Sequence, residues 1–238
     1  MITSLDNKKV KEWTKLHNKK YREDSFLLFD EKAIIESNNK KLLDTLIYVD
    51  KQPFSFDKTY EVSQDVMDKI SKRNGLKYIG VCKKINESCN YKNRVLLLDN
   101  IQDPINLGRL IQLSYAFGFD SILLSENCCD LYHINCLDIA KEYLFRVNIK
   151  RCNLIDEIKI LKKKGFKVYS TGLSKKTIDI KSIKKSFKMG FVLGNEGSGV
   201  SDEIFKVSDN IIKIDMNNLD SLNVAMAGSI VLYSFSNL

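Results

Sequence analysis

The chain has 238 residues, 44% of them apolar, with 11 Gly and 2 Pro, and lacks any uncharged apolar run of about 18 residues or more, which excludes disordered, collagen-like, low-complexity and membrane-spanning readings. Lys+Arg 38 against Asp+Glu 30 leave a net charge of +8. The amino terminus has no apolar stretch of the kind a secretory signal needs, so a cytoplasmic location is expected.

In chain order, the first 85 residues read as helix (7–21), strand (26–29), helix (30–37), strand (45–49), helix (63–73) and strand (78–82), a small α/β domain. The positive excess is densest here, with 18 basic and 13 acidic residues against 20 and 17 in the remainder. Lys8, Lys9, Lys11, Lys15, Lys19, Lys20 and Arg22 fall in or just beyond the first helix. They form either a solvated face or an electrostatic footprint for a phosphate backbone. Residues 86–93 are polar and without periodicity, and read as a linker.

From residue 94 to 238 the alternation restarts with near-continuous apolar strands at 95–98, 121–124, 145–147, 167–170, 191–193 and 210–213. Such strands, joined by helices, predict a parallel sheet covered on both faces, with ligands beyond the carboxyl ends of its strands. Six cysteines (Cys82, Cys89, Cys128, Cys129, Cys136, Cys152) show no C-x-x-C spacing, and His17 and His133 lie far apart. No disulfide framework and no metal site are expected, and histidine is scarce as a general base.

Three strand-end loops carry unusual chemistry. In Asp99-Asn-Ile-Gln-Asp-Pro-Ile-Asn-Leu-Gly-Arg109, Asn106 suits a helix cap, and Pro104 with Gly108 would let backbone amides face an anion; a well-capped turn explains the loop equally. Leu193-Gly-Asn-Glu-Gly-Ser-Gly-Val-Ser-Asp-Glu-Ile204 permits close backbone approach to a ligand, but lacks the Lys-Ser/Thr of a Walker loop and the G-x-G-x-x-G spacing of a dinucleotide site. In Ile214-Asp-Met-Asn-Asn-Leu-Asp-Ser-Leu-Asn-Val-Ala225, Ser221 and Asn223 open a final helix that ends near Phe235, and either capping or ligand binding accounts for Ser221.

Asn106-Leu-Gly with Ala116-Phe-Gly118, then Leu193-Gly-Asn-Glu-Gly197, then Ile214-x-Met216 and Ser221-Leu-Asn-Val-Ala225, in this order and spacing, resemble the three motifs of the SpoU (TrmH-like) branch of the SPOUT methyltransferases. The first domain, with Phe26-Leu-Leu-Phe-Asp-Glu-Lys32, is similar to the L30e-like RNA-binding domain that precedes the catalytic domain in ribosomal members. The resemblance implies a fold of an L30e-like domain (1–85), a linker (86–93) and a SPOUT domain (94–238) with a carboxyl-terminal trefoil knot, and an obligate homodimer. It implies S-adenosyl-L-methionine bound through Gly194, Ile214 and Leu222, with Met216 and the Thr171-Gly172-Leu173 loop nearby. The implied reaction is methyl transfer to a ribose 2′-hydroxyl of RNA, ribosomal in preference to transfer RNA, with Asn106, Glu196, Ser221 and Asn223 shaping the site. Family members carry an arginine six residues after the motif asparagine; here that residue is Gln112, and Arg109, one turn earlier on the same face, takes its place in this reading. The family commonly has proline where this chain has Asp215, and the loop from Met216 to Ser221 is one residue short and lacks its glycine. The alternatives are a member that binds RNA or ribosomal particles without methyl transfer, a transfer-RNA methyltransferase, and a nucleotide-binding enzyme of another kind.

Overall fold

Two separate sheets organise the chain, which a computed structural model describes through residues 1–88, 90–172, 177–218 and 221–236. Cys89 and Leu173, named above, lie outside the described residues. The chain divides into two compact units, 1–86 with 132–145, and 87–131 with 146–238.

In the first unit, β1 (Ser25–Leu28), β2 (Leu43–Tyr48), β3 (Thr59–Glu61) and β4 (Tyr78–Lys83) form a sheet of order β1-β4-β2-β3. The helices are α1 (Lys8–Lys15), α2 (Glu31–Asn39) and α3 (Gln64–Ser71). α1 stops earlier than its periodicity suggests, because the Asn18 side chain accepts from the amide of Lys20 at 3.1 Å and starts a separate 3-10 turn over Lys19–Tyr21. Val10 and Trp13 of α1 are buried with Val66, Met67 and Ile70 of α3. Each such side chain contributes about 1.5–3 kcal/mol when fully buried. Strand β3 escapes sequence reading because three residues are too few to show a period.

Residues 132–145 read in sequence as part of the second domain, yet they group with the first unit. Helix α5 (Ile134–Ala140) is joined there by the paired Arg73 and Asp138 side chains, and the 3-10 turn at Lys141–Phe145 packs against α2. The strand expected at 145–147 is displaced accordingly: Phe145 closes that turn, and the strand is β7 (Asn148–Arg151). β7 is an edge strand with one fully buried side chain, Ile149, so its polar composition hid it.

The second unit holds a parallel sheet of order β7-β6-β5-β10-β8-β11-β9, with β5 (Arg94–Leu98), β6 (Ser121–Leu124), β8 (Lys167–Thr171), β9 (Thr177–Asp179), β10 (Met189–Leu193) and β11 (Asn210–Lys213). β5 and β10 lie adjacent at its centre and are buried at every position, as continuous apolar runs require. Helices α4 (Pro104–Ala116), α6 (Leu154–Lys163), α7 (Asp202–Val207) and α8 (Val224–Ser234) cover it. Phe191 stacks on Phe235 with ring centroids 4.5 Å apart and on Tyr169 at 5.5 Å. Arg94, 3% exposed, donates from Nε to the carbonyl of Phe235 at 2.7 Å and from Nη1 to that of Phe187 at 2.7 Å. The polar segment read as a linker is anchored at its end: Tyr91 hydrogen-bonds the buried Glu157, and Lys92 pairs with Asp120 at 2.9 Å. No helix among the described residues is long and apolar enough to cross a membrane.

Candidate functional site

The three motif loops follow β5, β10 and β11, and the second and third of them line a cleft of about 370 Å³, with Asn106 and Asn223 outside its lining. Asn106 does not cap α4 as its position in sequence suggests. Asp103 does, its Oδ1 accepting from the amide of Ile105 at 2.9 Å with Pro104 in the first helical turn, because proline fits where no amide donor is needed. That places Asn106 inside the helix and 2% exposed, where a buried amide side chain must find partners. It finds two: Nδ2 donates to Glu196 Oε1 at 3.0 Å, and Oδ1 accepts from Asn223 Nδ2 at 3.2 Å. Asn223, not Ser221, caps α8, with Oδ1 accepting from the amide of Ala225 at 2.9 Å. One residue from each motif is therefore joined in a single chain, Asn223 to Asn106 to Glu196.

Thr171, Gly172, Gly194, Glu196, Ile214, Met216, Ser221 and Leu222 all line the cleft. Arg109 lies outside that lining, exposed on α4 without a hydrogen-bond or ion-pair partner among the described residues, and Gln112 is half-buried one turn on. Leu219 and Asp220 of the third loop lie outside the described residues.

The glycine loop closes on itself. Asn195 and Gly199 exchange backbone hydrogen bonds at 3.0 Å each way, and Asn195 Oδ1 accepts from the amides of Gly197 and Ser198 at 2.8 and 3.0 Å. A Cβ on Gly194 would lie 2.1 Å from the carbonyl carbon of Gly199, so the loop's own closure demands that glycine, which the sequence reading had assigned to a ligand against the backbone. At Gly172 a Cβ would lie 2.6 Å from the ring of Phe205, which itself lines the cleft. Asp99, Gln102 and Asn195 were not singled out in sequence: Asp99 Oδ2 accepts from the amide of Ser201 at 2.9 Å, and the Gln102 amide reaches Glu196 Oε2 at 3.5 Å. Their only sequence signal is the density of short polar side chains within the first two motifs.

The lining is mostly apolar side chain and backbone, with Leu193, Val200, Phe205, Ile212 and Leu222 among its walls. Its volume lies in the range of roughly 300–1,000 Å³ that small-molecule sites occupy. Its charged groups are Glu196 and Lys213, and Lys213 pairs with Asp215 at 2.6 Å. Hydrogen bonding to Lys213 holds the Asp215 carboxyl below the usual carboxylate range. A lining with one unpaired carboxylate and no unpaired cation suits a ligand with apolar faces and positive charge better than a polyphosphate. Nearby, burial pushes the Cys129 thiol up to about 12, which leaves it protonated and no nucleophile. Among the described residues no group of three or more His, Cys, Asp or Glu side chains could hold a metal ion, and Cys82, Cys128, Cys129 and Cys152 are in no disulfide.

Fold and site together define an α/β protein with a small-molecule cleft at its strand ends, beside a bonded Asn-Asn-Glu chain. Residues 93–233 match the SpoU rRNA Methylase family. The whole chain is similar to the 23S rRNA (guanosine(2553)-2′-O)-methyltransferase RlmP of Bacillus subtilis, 30% identical over 242 aligned positions that cover 98% of this chain and 97% of that one. An rRNA methyltransferase from Sinorhizobium meliloti matches with a TM-score of 0.89 at 26% identity, over 98% of this chain and 95% of that one. Its AdoMet-bound structure matches at 0.88 and 26%, with the same coverage. This chain belongs to the SpoU rRNA methylase family.

Proposed function

We propose that the protein transfers a methyl group from S-adenosylmethionine to a ribose 2′-hydroxyl of ribosomal RNA. The observation that carries this reading is the Asn223–Asn106–Glu196 chain at a cleft whose one unpaired charge is a carboxylate. The full-length relative that methylates 23S rRNA, and the neighbour that binds AdoMet, support the substrate and donor. When bound, the donor supplies a methyl group on a sulfonium, which leaves without assistance from a metal.

Gly194, Ile214 and Leu222 hold the donor through backbone, with Thr171, Gly172 and Met216 beside it. Glu196, fixed by Asn106, faces the positive end. Asn106 and Asn223 keep that carboxylate from rotating, and Ser221 offers a hydroxyl at the rim. A ribose hydroxyl is almost fully protonated at neutral pH, so its attack needs alignment and stabilisation of the developing oxyanion. Arg109 supplies that stabilisation: a guanidinium stays charged in proteins, so it acts as a fixed cation beside the 2′-oxygen, and the proton leaves to water.

Mapping 2′-O-methyl groups in total RNA from cells with and without the gene tests the activity. Loss of a ribosomal modification is the expected result, and an unchanged ribosomal map overturns it. A loss confined to transfer RNA selects the transfer-RNA reading. Gln112 favours the binding-only reading, which is selected if S-adenosylmethionine raises the melting temperature while every RNA map stays unchanged.

The same reading includes a homodimer through α4 and α8. Met226, Ile230 and Tyr233 repeat along one face of α8 and are 60%, 37% and 68% exposed, with the ring of Phe117, at the end of α4, 5.8 Å from that of Tyr233. A helix apolar on all sides calls for a covering on all sides, and a second copy supplies it. Ile230→Glu is expected to halve the mass in sedimentation equilibrium, whereas a wild-type monomer removes the dimer. It also includes a knotted carboxyl terminus, supported by β10 lying between β5 and β8 while α8 returns against α4. Knots are rare exceptions among folds, and a crystal trace with the last helix outside the loop removes this one.

The first unit, the L30e-like domain, is the RNA-binding module of this reading. Its basic residues surround an exposed aromatic: the Nζ atoms of Lys20 and Lys15 lie 4.8 and 5.6 Å from the ring centre of Tyr21, a combination that suits phosphates and an unpaired base. With both Lys19→Glu and Lys20→Glu, the salt-dependence slope of RNA binding should fall by about one to two. An unchanged slope places the contact elsewhere.

A further inference from the structure

The hydrogen bonds around the cleft continue well beyond it, in an order that follows the strands. Arg151 ends β7, and its guanidinium is inserted in the irregular turn 125–129 that follows β6. Nη1 donates to the carbonyls of Ser125, Glu126 and Cys128 at 2.9, 3.1 and 3.0 Å, and Nη2 to that of Cys129 at 2.9 Å.

That turn holds the loop after β5. Ser125 Oγ accepts from the amide of Asn100 at 2.8 Å, the carbonyl of Asn127 accepts from Gln102 Nε2 at 2.6 Å, and the Cys129 amide donates to the carbonyl of Ile101 at 2.8 Å. The loop after β5 holds the glycine loop after β10 in turn. The Asn100 carbonyl accepts from Asn195 Nδ2 at 2.9 Å, Asp99 takes the amide of Ser201, and the Gln102 amide reaches Glu196. The strands run β7-β6-β5-β10 across the sheet, and the bonds run in the same sequence from Arg151 to Glu196.

We propose that Arg151 is a positioning residue for methyl transfer, acting through these loops on the carboxylate of Glu196 and the wall of the donor cleft. This rests on the methyltransferase reading above. Arginine is required because four carbonyl oxygens converge on it from different directions. Three of them share the two N–H groups of Nη1 and the fourth bonds Nη2, so two nitrogens of one rigid plane reach all four, whereas lysine has a single nitrogen with three N–H groups. The charge at the edge strand thereby links the loops after β6, β5 and β10, and small displacements of reacting groups are costly in rate.

The test uses the whole chain with Arg151→Lys and, separately, Gln102→Leu, which removes one of the three bonds between the turn and the loop after β5, keeps the backbone amide that meets Glu196, and leaves Arg151 in place. Both variants should lower kcat by roughly 10- to 100-fold while KM for RNA stays within about threefold. In the Glu196→Gln background, Arg151→Lys should cost almost nothing further, since both changes remove the same contact and neighbouring effects do not add. Hydrogen exchange should accelerate at the amides of Gly197 and Ser198, and this readout holds whether or not the wild type methylates RNA. If the wild type is inactive while exchange accelerates, the methyltransferase reading fails and the connection stands. Wild-type kcat with unchanged exchange in either variant overturns the proposal, as does a loss that multiplies fully with that of Glu196→Gln. If Arg151→Lys does not fold, Gln102→Leu alone decides by the same measurements.

Discussion

Replacing Arg109 with alanine is expected to slow methyl transfer, measured in a single turnover with saturating RNA and donor, by about 100-fold or more. The affinity for S-adenosylmethionine should stay unchanged, because Arg109 lies outside the lining of the cleft. Its position accounts for both expectations. It follows Asn106 by three residues on α4, so it shares a helix face with the one motif residue bonded to both of the others. It is exposed and unpartnered among the described residues, and so available to a substrate oxygen. Arg109→Lys should retain part of the rate, since the charge remains and the planar fork is lost. Adding Gln112→Arg to Arg109→Ala should recover activity, because residue 112 returns the cation to the same face one turn along. Full activity of Arg109→Ala would remove this residue from the mechanism.

Gly194→Ala should weaken S-adenosylmethionine binding by roughly 100-fold, with the first unit untouched. The new methyl group would lie 2.1 Å from the carbonyl carbon of Gly199 and 2.2 Å from the amide nitrogen of Val200, both backbone atoms that no rotamer change can move. The loop must open, and overpacking of this kind costs about 1–3 kcal/mol, which corresponds to a fall in melting temperature of about 2–12 °C for a chain of this size. Gly197→Ala is the matched control, since its Cβ meets only Asn195 Oδ1 at 3.5 Å, an ordinary contact. Titration calorimetry compares the two. Native affinity in Gly194→Ala would show that the loop does not shape the donor cleft.

How much of this was legible beforehand varies with the kind of signal. The central strands were plain, because residues buried on both faces leave uninterrupted apolar runs such as Val95–Leu98. Short edge strands were not: Thr59–Glu61 and Thr177–Asp179 have three residues each, and Asn148–Arg151 shows a single fully buried side chain. Helix starts were misread where two capping residues compete. Asp103 displaces Asn106, and Asn223 displaces Ser221, because local hydrogen bonding decides between neighbours that composition cannot separate. The motif residues were found, but not the bonds between them. Nothing in the spacing of Asn106, Glu196 and Asn223 says that they touch, since their contact depends on strands 90 or more residues apart meeting in one sheet. Arg151 carried no pattern at all, being a lone arginine whose importance lies in four backbone carbonyls.

Arg94 and Phe235 bear on how the protein is made. The guanidinium near the start of the second unit closes onto a carbonyl near its end, 141 residues later, and the ring of Phe235 completes the stack on Phe191. During synthesis, β5 therefore waits for residue 235 before the Nε of its buried arginine is satisfied and its aromatic layer is filled. A nascent chain halted shortly before α8 holds Arg94 only through the carbonyls of Asn93 and Phe187 and leaves Phe191 without the ring of Phe235, so this unit completes its packing late.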